Sequence, residues 1–479
     1  MKLTWYQYIS KRSPVLWAIP SLALAGYWST LDNSFGLDDF AFVGRLAQGE
    51  NILSISSLLD DLKFVRIIGL FLFYLDFWIY GIWAPGYHIT NLLIHILNGF
   101  ILLAVIRRLW PSFANLAAYF FIIAPFTIEG VAWISARFDL LMTTWFLLGV
   151  LALLRDRAWL GAGAFGLALL TKEPAVTALP VALTIALSRR NLQSNRLKLA
   201  LPTIGLVVLY LIFRIWLYGG IGGYTVGRSE LFPNIYRWLP INARNLFYLF
   251  GSPISYKISG VLPSTYLLGF LWLIPWLGLL RPQAWRVPLA VGLAFFLLTY
   301  SPTAFVPLST HGVTWRFLYL PSAGLALGAA WVVSQTPWRK VIAILTIAAW
   351  LLVLNVNLVF WETSSFHIER LITEIKDREP QQGNLLIVVP ASFAGAYITP
   401  YSAELMGVLY RPGIKVTGLT EKEARSISTN LLPSLIAPRP LLCFPSFGKQ
   451  YYSSKTLPSY YQHPSWKYDS PLECKPTNR

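Results

Sequence analysis

Apolar runs close to the ~20 residues that a helix needs to cross a hydrocarbon core recur along the chain, separated by short clusters of arginine and lysine. The basic markers are Arg107-Arg108, Arg155-Asp156-Arg157, Ser188 to Lys198, Arg281 to Arg286 and Trp338 to Lys340. Between consecutive markers there is apolar sequence for a hairpin of two helices. The pattern predicts about eleven transmembrane helices, over 14–30, 86–106, 113–127, 138–154, 158–171, 174–188, 199–217, 263–280, 287–302, 318–334 and 341–360. The first run lacks a small-residue cleavage site, so it reads as a retained helix and not as a signal peptide. Lys2, Lys11 and Arg12 precede it and place the N-terminus in the cytoplasm, because basic residues are retained on that side. An odd number of crossings then leaves the C-terminus outside. Ile67 to Trp83 is also apolar enough to cross, but a crossing there would turn every later basic cluster outward. With Asp76 and its many aromatic residues, it reads as an interfacial or re-entrant helix on the outer face.

The pattern changes near residue 360. His367 to Glu379 is helix-like, Asn384 to Pro390 and Pro440 to Pro445 are strand-like, and Ala403 to Tyr410 between them is helix-like. The fold class expected is an all-α polytopic membrane protein, with residues 1–360 as the membrane domain and 31–85 as its first outer loop. Residues 361–479 would form a small extracytoplasmic α/β domain with a Tyr/Ser/Pro-rich tail. The chain's two cysteines, Cys443 and Cys474, both fall there. An oxidising compartment would pair them as a disulfide, the alternative being two free thiols.

Composition agrees with the pattern. The 479 residues are 55% hydrophobic and 13% charged, against about 25% charged in soluble domains. This excludes a soluble enzyme with a single anchor. The net charge of +17 would ordinarily raise nucleic-acid binding. Here the basic residues mostly flank apolar runs, which is the positive-inside pattern with contacts to anionic headgroups, and no nucleic-acid partner is expected.

Ionisable residues at membrane segments are expensive and gather where function needs them. On the expected outer side stand Asp38, Asp39, Arg66, Asp76, Glu129, Arg137, Asp139, Lys172, Glu173, His311 and Arg316. The expected cytoplasmic loops carry basic residues and almost no acids. Each outer residue has a bland reading alone. Adjacent acids are usually solvated, Lys172-Glu173 caps helix ends, Arg137 pairs with Asp139 or headgroups, and Arg316 is a snorkelling anchor. His88, Asn91 and His95 share a helix stripe that suits inter-helix hydrogen bonding as well as it suits chemistry. There is no HExxH, no CxxC pair and no Gly-rich phosphate loop after a strand, and Gly219 to Arg228 reads as an outer loop. Together the outer residues fit one kind of chemistry, in which a carboxylate serves as base for a hydroxyl acceptor and cations hold a phosphate leaving group. That points to a transferase using a lipid-linked phosphosugar. A lipid or polysaccharide transporter or flippase is the alternative, and would be expected to carry polar residues on both faces and an internal repeat. A non-catalytic scaffold would have a blander outer face.

Several strings occur in order: the Asp38-Asp39 pair, Ala84 to Leu109, "APFTIEGVAWISARFDLL" (Ala124 to Leu141), "LLTKEPAVTALP" (Leu169 to Pro180) and "WRFLYLPSAGLAL" (Trp315 to Leu327). Over roughly Leu31 to Leu327 the chain resembles the membrane domain of the transmembrane-and-tetratricopeptide O-mannosyltransferases and their bacterial relatives. These are GT-C glycosyltransferases, alongside the protein O-mannosyltransferases and the aminoarabinose lipid A transferases. The resemblance implies the GT-C fold, a polyprenyl-phosphate-linked sugar donor, a hydroxyl acceptor and inversion at the anomeric carbon. It implies Asp38 as the base, with Asp39 second, and Glu129 as an acid that orients acceptor or base. Arg66, Arg137, Lys172 and Arg316 match basic positions that would bind the donor phosphate. The chain departs from its relatives at Ile67, where they have proline, at Ala124-Pro125, where they often have His-Pro, and in lacking a tetratricopeptide array. No cofactor is assigned; a divalent metal such as Mg or Mn stays open, since Asp38, Asp39 and Glu129 offer oxygen ligands, although the arginines and lysine can already neutralise the phosphate. The absence of an Asn-x-Ser/Thr sequon from the outer loops favours a bacterial or archaeal source and an inner (plasma) membrane location.

Overall fold

The computed structural model describes residues 5–36, 38–54, 66–188, 196–218, 240–243, 245, 267–304, 315–377, 384–389, 406–407, 409–410, 415–420 and 441–443. His311 and Cys474 lie outside the described residues, as does the Gly219 to Arg228 stretch. The helices in chain order are α1 (Trp5–Tyr27), α2 (Asp39–Ala47), α3 (Ile67–Tyr80), α4 (Ala84–Leu109), α5 (Ala114–Ile122), α6 (Ile128–Ala132), α7 (Arg137–Leu154), α8 (Ala158–Leu169), α9 (Ala178–Ser188), α10 (Arg196–Tyr218), α11 (Val287–Tyr300), α12 (Ser322–Ser334) and α13 (Arg339–Asp377). A 3-10 helix over Phe270–Leu280 precedes α11.

Each expected span overlaps a helix among the described residues, and residues 263–266 of the eighth lie outside them. Among the described residues, four helices are long and apolar enough to cross a membrane: Ala84–Leu109, Ile134–Leu154, Leu197–Leu217 and Arg339–Phe366. A fifth is counted if Ala114–Ile122 and Pro125–Ala132, bent by 47°, form one span. The chain is an integral membrane protein by this measure. The shorter apolar helices do not by themselves settle the number of crossings. Ile67 to Tyr80 is helical, but its 14 residues reach only about 21 Å, short of a ~30 Å core.

By its internal contacts the chain divides into two compact units, interleaved in sequence. One gathers Met1–Trp28, Leu53–Phe71 and Ile89–Asn357. Within it, α7 and α8 form a hairpin whose turn holds Asp156 at φ 60°, a left-handed conformation that aspartate tolerates. A Cβ on Gly149 would meet the Phe165 ring at 2.7 Å, so the two helices pack ring against backbone. Helices α11 and α12 come closer still. A Cβ on Gly292 would lie 2.6 Å from the Gly324 carbonyl oxygen, and one on Gly324 would lie 2.3 Å from that of Gly292. Small residues allow such approach where no hydrophobic force drives helices together. Indole N–H groups close the seams: Trp331 donates to the Ala284 carbonyl at 2.9 Å and Trp350 to that of Trp272 at 3.0 Å.

The second unit gathers Ser29–Ile52, Leu72–His88 and Leu358–Arg479. Its first part is knitted by aromatic rings. Phe35 meets Phe40 and Tyr87 edge-on, and Phe42 stacks on Phe73 at 4.8 Å. The Ser34 amide donates to Ser365 Oγ at 2.7 Å, and the Ser34 hydroxyl donates to Glu369 at 2.9 Å, tying the first loop to the end of α13. That helix runs through residue 360, so His367 to Asp377 continues the last apolar helix. Beyond it, β1 (Asn384–Val389), β2 (Lys415–Thr420) and β3 (Leu441–Cys443) form a parallel sheet in the order β2-β1-β3. Asn384 pairs with Lys415 and Leu386 with Leu441. Two of these strands fall where the sequence pattern put them; β2 was not anticipated.

Candidate active site

Of the charged residues picked from the sequence, Arg66, Glu129, Arg137, Asp139, Lys172, Glu173 and Arg316 fall in the first unit. The Pro125–Thr127 turn and the short α6 follow α5. The turn is pinned by Thr127, whose hydroxyl donates to the Ala124 carbonyl at 2.7 Å and accepts from Tyr27 at 2.7 Å. Gly130 lies flat on Tyr319, and a Cβ there would fall 2.7 Å from that ring. This contact seats Glu129, which is fully buried. Both its carboxylate oxygens are taken by Arg316: the backbone N–H donates to Oε2 at 2.6 Å and Nη1 donates to Oε1 at 2.6 Å. The Arg316 guanidinium also lies 4.8 Å from the Trp133 ring centre and 4.9 Å from that of Phe317, within cation–π range.

Lys172 shares the Phe317 ring, its ammonium 5.0 Å from the centre. It pairs with Asp139, and both side chains are buried. Asp139 stands in the first turn of α7, where the helix dipole favours an acid. Arg137, at the start of the same helix, is fully buried and donates from Nε to the Ile134 carbonyl at 3.1 Å. Asp139 thus meets Lys172 rather than its near neighbour in sequence.

Arg66 lies over the Phe138 ring at 5.3 Å and faces Glu173 at 3.6 Å. Gly69 makes that seat, because a Cβ there would strike Phe138 at 2.1 Å. The other Glu173 oxygen faces Arg214 Nη1 at 3.3 Å. Arg214 was missed by sequence reasoning. The available signal was a lone arginine inside an apolar helix, four residues after a tyrosine. Cations and carboxylates in an apolar interior are each costly, and mutual pairing offsets that cost.

Asp38, Asp39 and His88 belong to the other unit. Asp38 immediately precedes α2 and is exposed, whereas Asp39 is buried and accepts the Gly36 amide proton at 2.9 Å. His88 is buried. His95 has both ring nitrogens engaged. Nε2 donates to the Ile122 carbonyl at 2.9 Å, and Nδ1 accepts from the Tyr319 hydroxyl at 2.6 Å. Asn98 donates to the same hydroxyl at 3.2 Å and to the Leu140 carbonyl at 3.0 Å. Asn91 donates to the Trp133 carbonyl at 3.1 Å. The α4 stripe therefore joins helices. Among the described residues, no group of three or more His, Cys, Asp or Glu side chains is placed to hold a metal ion.

No family model and no curated protein matches this sequence. Solved structures that resemble the fold include two crystal structures of ArnT from Cupriavidus metallidurans. The one bound to undecaprenyl phosphate has a TM-score of 0.46 and 11% identity, covering 88% of each chain. The apo structure has a TM-score of 0.46 and 12% identity, covering 88% of this chain and 89% of that one.

Proposed function

We propose that the chain is a GT-C glycosyltransferase that moves a sugar from a polyprenyl-phosphate-linked donor to a hydroxyl acceptor at the extracytoplasmic face of a bacterial inner membrane. The observation that carries the reading is the largely buried ionic layer of the first unit, fully enclosed at Glu129, Asp139, Lys172 and Arg214 and partly open at Arg66, Glu173 and Arg316. Arg316 with Glu129, Lys172 with Asp139, and Arg66 and Arg214 with Glu173 stand within an otherwise apolar helical body. A phosphate leaving group needs such fixed cations, and a dry setting makes them effective.

In this reading the acceptor oxygen attacks the anomeric carbon and its proton passes to a carboxylate. The bond from that carbon to the phosphate oxygen breaks with inversion, and the electron pair leaves on the lipid phosphate. Asp38 is the proposed base, its exposure suiting proton uptake; Asp39 is second, being turned inward onto Gly36. Arg66, Arg137, Lys172 and Arg316 are the proposed phosphate cations. Glu129 acts by orientation, since Arg316 occupies both its oxygens. A cytoplasmic N-terminus and an extracytoplasmic α/β domain over 361–479 belong to the same proposal.

The test is transfer by the purified protein in lipid nanodiscs, with polyprenyl-phosphate sugars as donors. Mass spectrometry of glycolipids and glycoproteins from cells with and without the chain identifies the acceptor. Asp38→Asn is expected to abolish transfer while the protein still folds and inserts. Full transfer by that variant would remove Asp38 as the base.

A further inference from the structure

Arg214 stands on α10, inside an apolar helix, and is almost completely buried. An arginine at such a position needs something to hold it. Its Nη1 donates to the Tyr210 hydroxyl one turn earlier at 2.9 Å, with the guanidinium 5.7 Å from that ring. The same nitrogen faces one Glu173 oxygen at 3.3 Å, while Arg66 faces the other at 3.6 Å. One carboxylate thus stands at ion-pair distance between two guanidinium groups that come from different helical segments.

We infer that Arg214 is a positioning residue for the phosphate-binding cations. By holding Glu173 from the α10 side, it fixes the Lys172-Glu173 segment and with it the placement of both Lys172 and Arg66. The inference rests on the transferase reading above. The local backbone explains the coupling. Lys172 is extended, at φ −161° and ψ 143°, and neighbouring side chains on extended backbone point to opposite sides. Lys172 accordingly meets Asp139 and Phe317, while Glu173 meets the two arginines. A shift of Glu173 is passed through one peptide bond to the Lys172 ammonium, and through one ion pair to the Arg66 guanidinium. Pro174, in the 3-10 helix that follows, limits how the segment can re-adjust. Tyr210 makes Arg214 a fixed post on its own helix.

The experiment measures donor KM, kcat and thermal unfolding for Arg214→Ala, Arg214→Lys and Tyr210→Phe against wild type, in nanodiscs. A positioning role predicts that Arg214→Ala raises donor KM about tenfold with a smaller fall in kcat. Arg214→Lys, which keeps the charge but not the fork, is expected to recover part of that loss. Tyr210→Phe is expected to raise KM about two- to threefold, in keeping with the loss of one hydrogen bond to a charged group. Adding Glu173→Gln to Arg214→Ala should cost little more than either change alone, because both act through one contact. Wild-type KM in Arg214→Ala, in protein that unfolds at the wild-type temperature, overturns the inference. So does full additivity with Glu173→Gln. If Arg214→Ala does not fold, wild-type KM in both Arg214→Lys and Tyr210→Phe overturns it equally. A wild-type protein that transfers from no lipid-phosphate sugar overturns the transferase reading and this inference with it. An active wild type with indifferent Arg214 variants overturns this inference alone.

Discussion

Between α4 and the segment before α12, His95, Asn98 and Tyr319 form a neutral network in which hydroxyl, amide and imidazole groups meet one another and backbone carbonyls, and Asn91 on the same helix donates to the Trp133 carbonyl. In the same unit, Glu129, Asp139, Lys172, Glu173, Arg214 and Arg316 form an ionic network. Both are largely buried, with Glu173 and Arg316 partly exposed at the edge of the ionic one, yet they differ in what the fold gains. Hydrogen bonds between membrane helices average about 0.6 kcal/mol and act as modest glue. A buried ion pair is often no better for stability than a well-packed apolar pair of the same volume. The neutral network is thus accounted for by helix packing alone. The ionic network is not, and that excess is what the proposed transferase reading draws on.

The largest effect expected is at Glu129. Glu129→Gln takes the carboxylate from Arg316 and is expected to cost about 3–5 kcal/mol of stability, as for other broken buried pairs. Transfer should fall by at least about a hundredfold, equivalent to some 2.7 kcal/mol in the barrier. Chemical unfolding and single-turnover transfer read the two separately. A stable, active Glu129→Gln protein would make the ionic network as dispensable as the neutral one.

Asp139 and Lys172 give the sharper form of the comparison. Either Asp139→Asn or Lys172→Met alone should cost about 3 kcal/mol. The paired replacement Asp139→Leu with Lys172→Met should return stability to within about 1 kcal/mol of wild type while transfer stays at least tenfold down. Recovery of transfer along with stability would show that this pair serves only the fold.

How far this division was legible in the sequence depends on the range of the signal. Hydrophobicity is local, so each expected span overlaps a helix among the described residues. The Glu129, Lys172 and Arg316 positions were legible because they sit in distinctive strings. Their pairing was not, since Glu129 meets a residue 187 positions away and Asp139 one 33 away. Arg214 was hidden by apolar neighbours that read as plain membrane helix. The resemblance alone ranks Asp38 before Asp39, and nothing local in the sequence shows that Asp39 turns inward onto the Gly36 amide. Strand β2, "KVTGLT", was obscured by its central glycine and its lysine, both weak in strands.

Tyr319→Phe moves the comparison to the neutral side. It removes the hydroxyl shared by His95 and Asn98 and keeps the ring that seats Gly130. A stability loss of about 1 kcal/mol is expected, with donor KM and kcat unchanged. A fall in kcat without loss of stability would draw His95 into the reaction.

Thr144 should show the smallest effect. Its hydroxyl has two acceptors in reach, Asn98 Oδ1 at 2.7 Å and the Leu140 carbonyl one turn earlier at 3.1 Å. Valine has nearly the same shape, so Thr144→Val removes the donor and opens no cavity. Asn98 keeps its two amide bonds, to Leu140 and Tyr319, and only its carbonyl oxygen loses a partner. The expected cost is about 0.6 kcal/mol, the average for such a contact between membrane helices, with transfer at the wild-type rate. A cost of several kcal/mol, or any marked loss of transfer, would mean that the neutral network is coupled to the ionic one through Tyr319 and Gly130. The two regions would then have to be treated as one site.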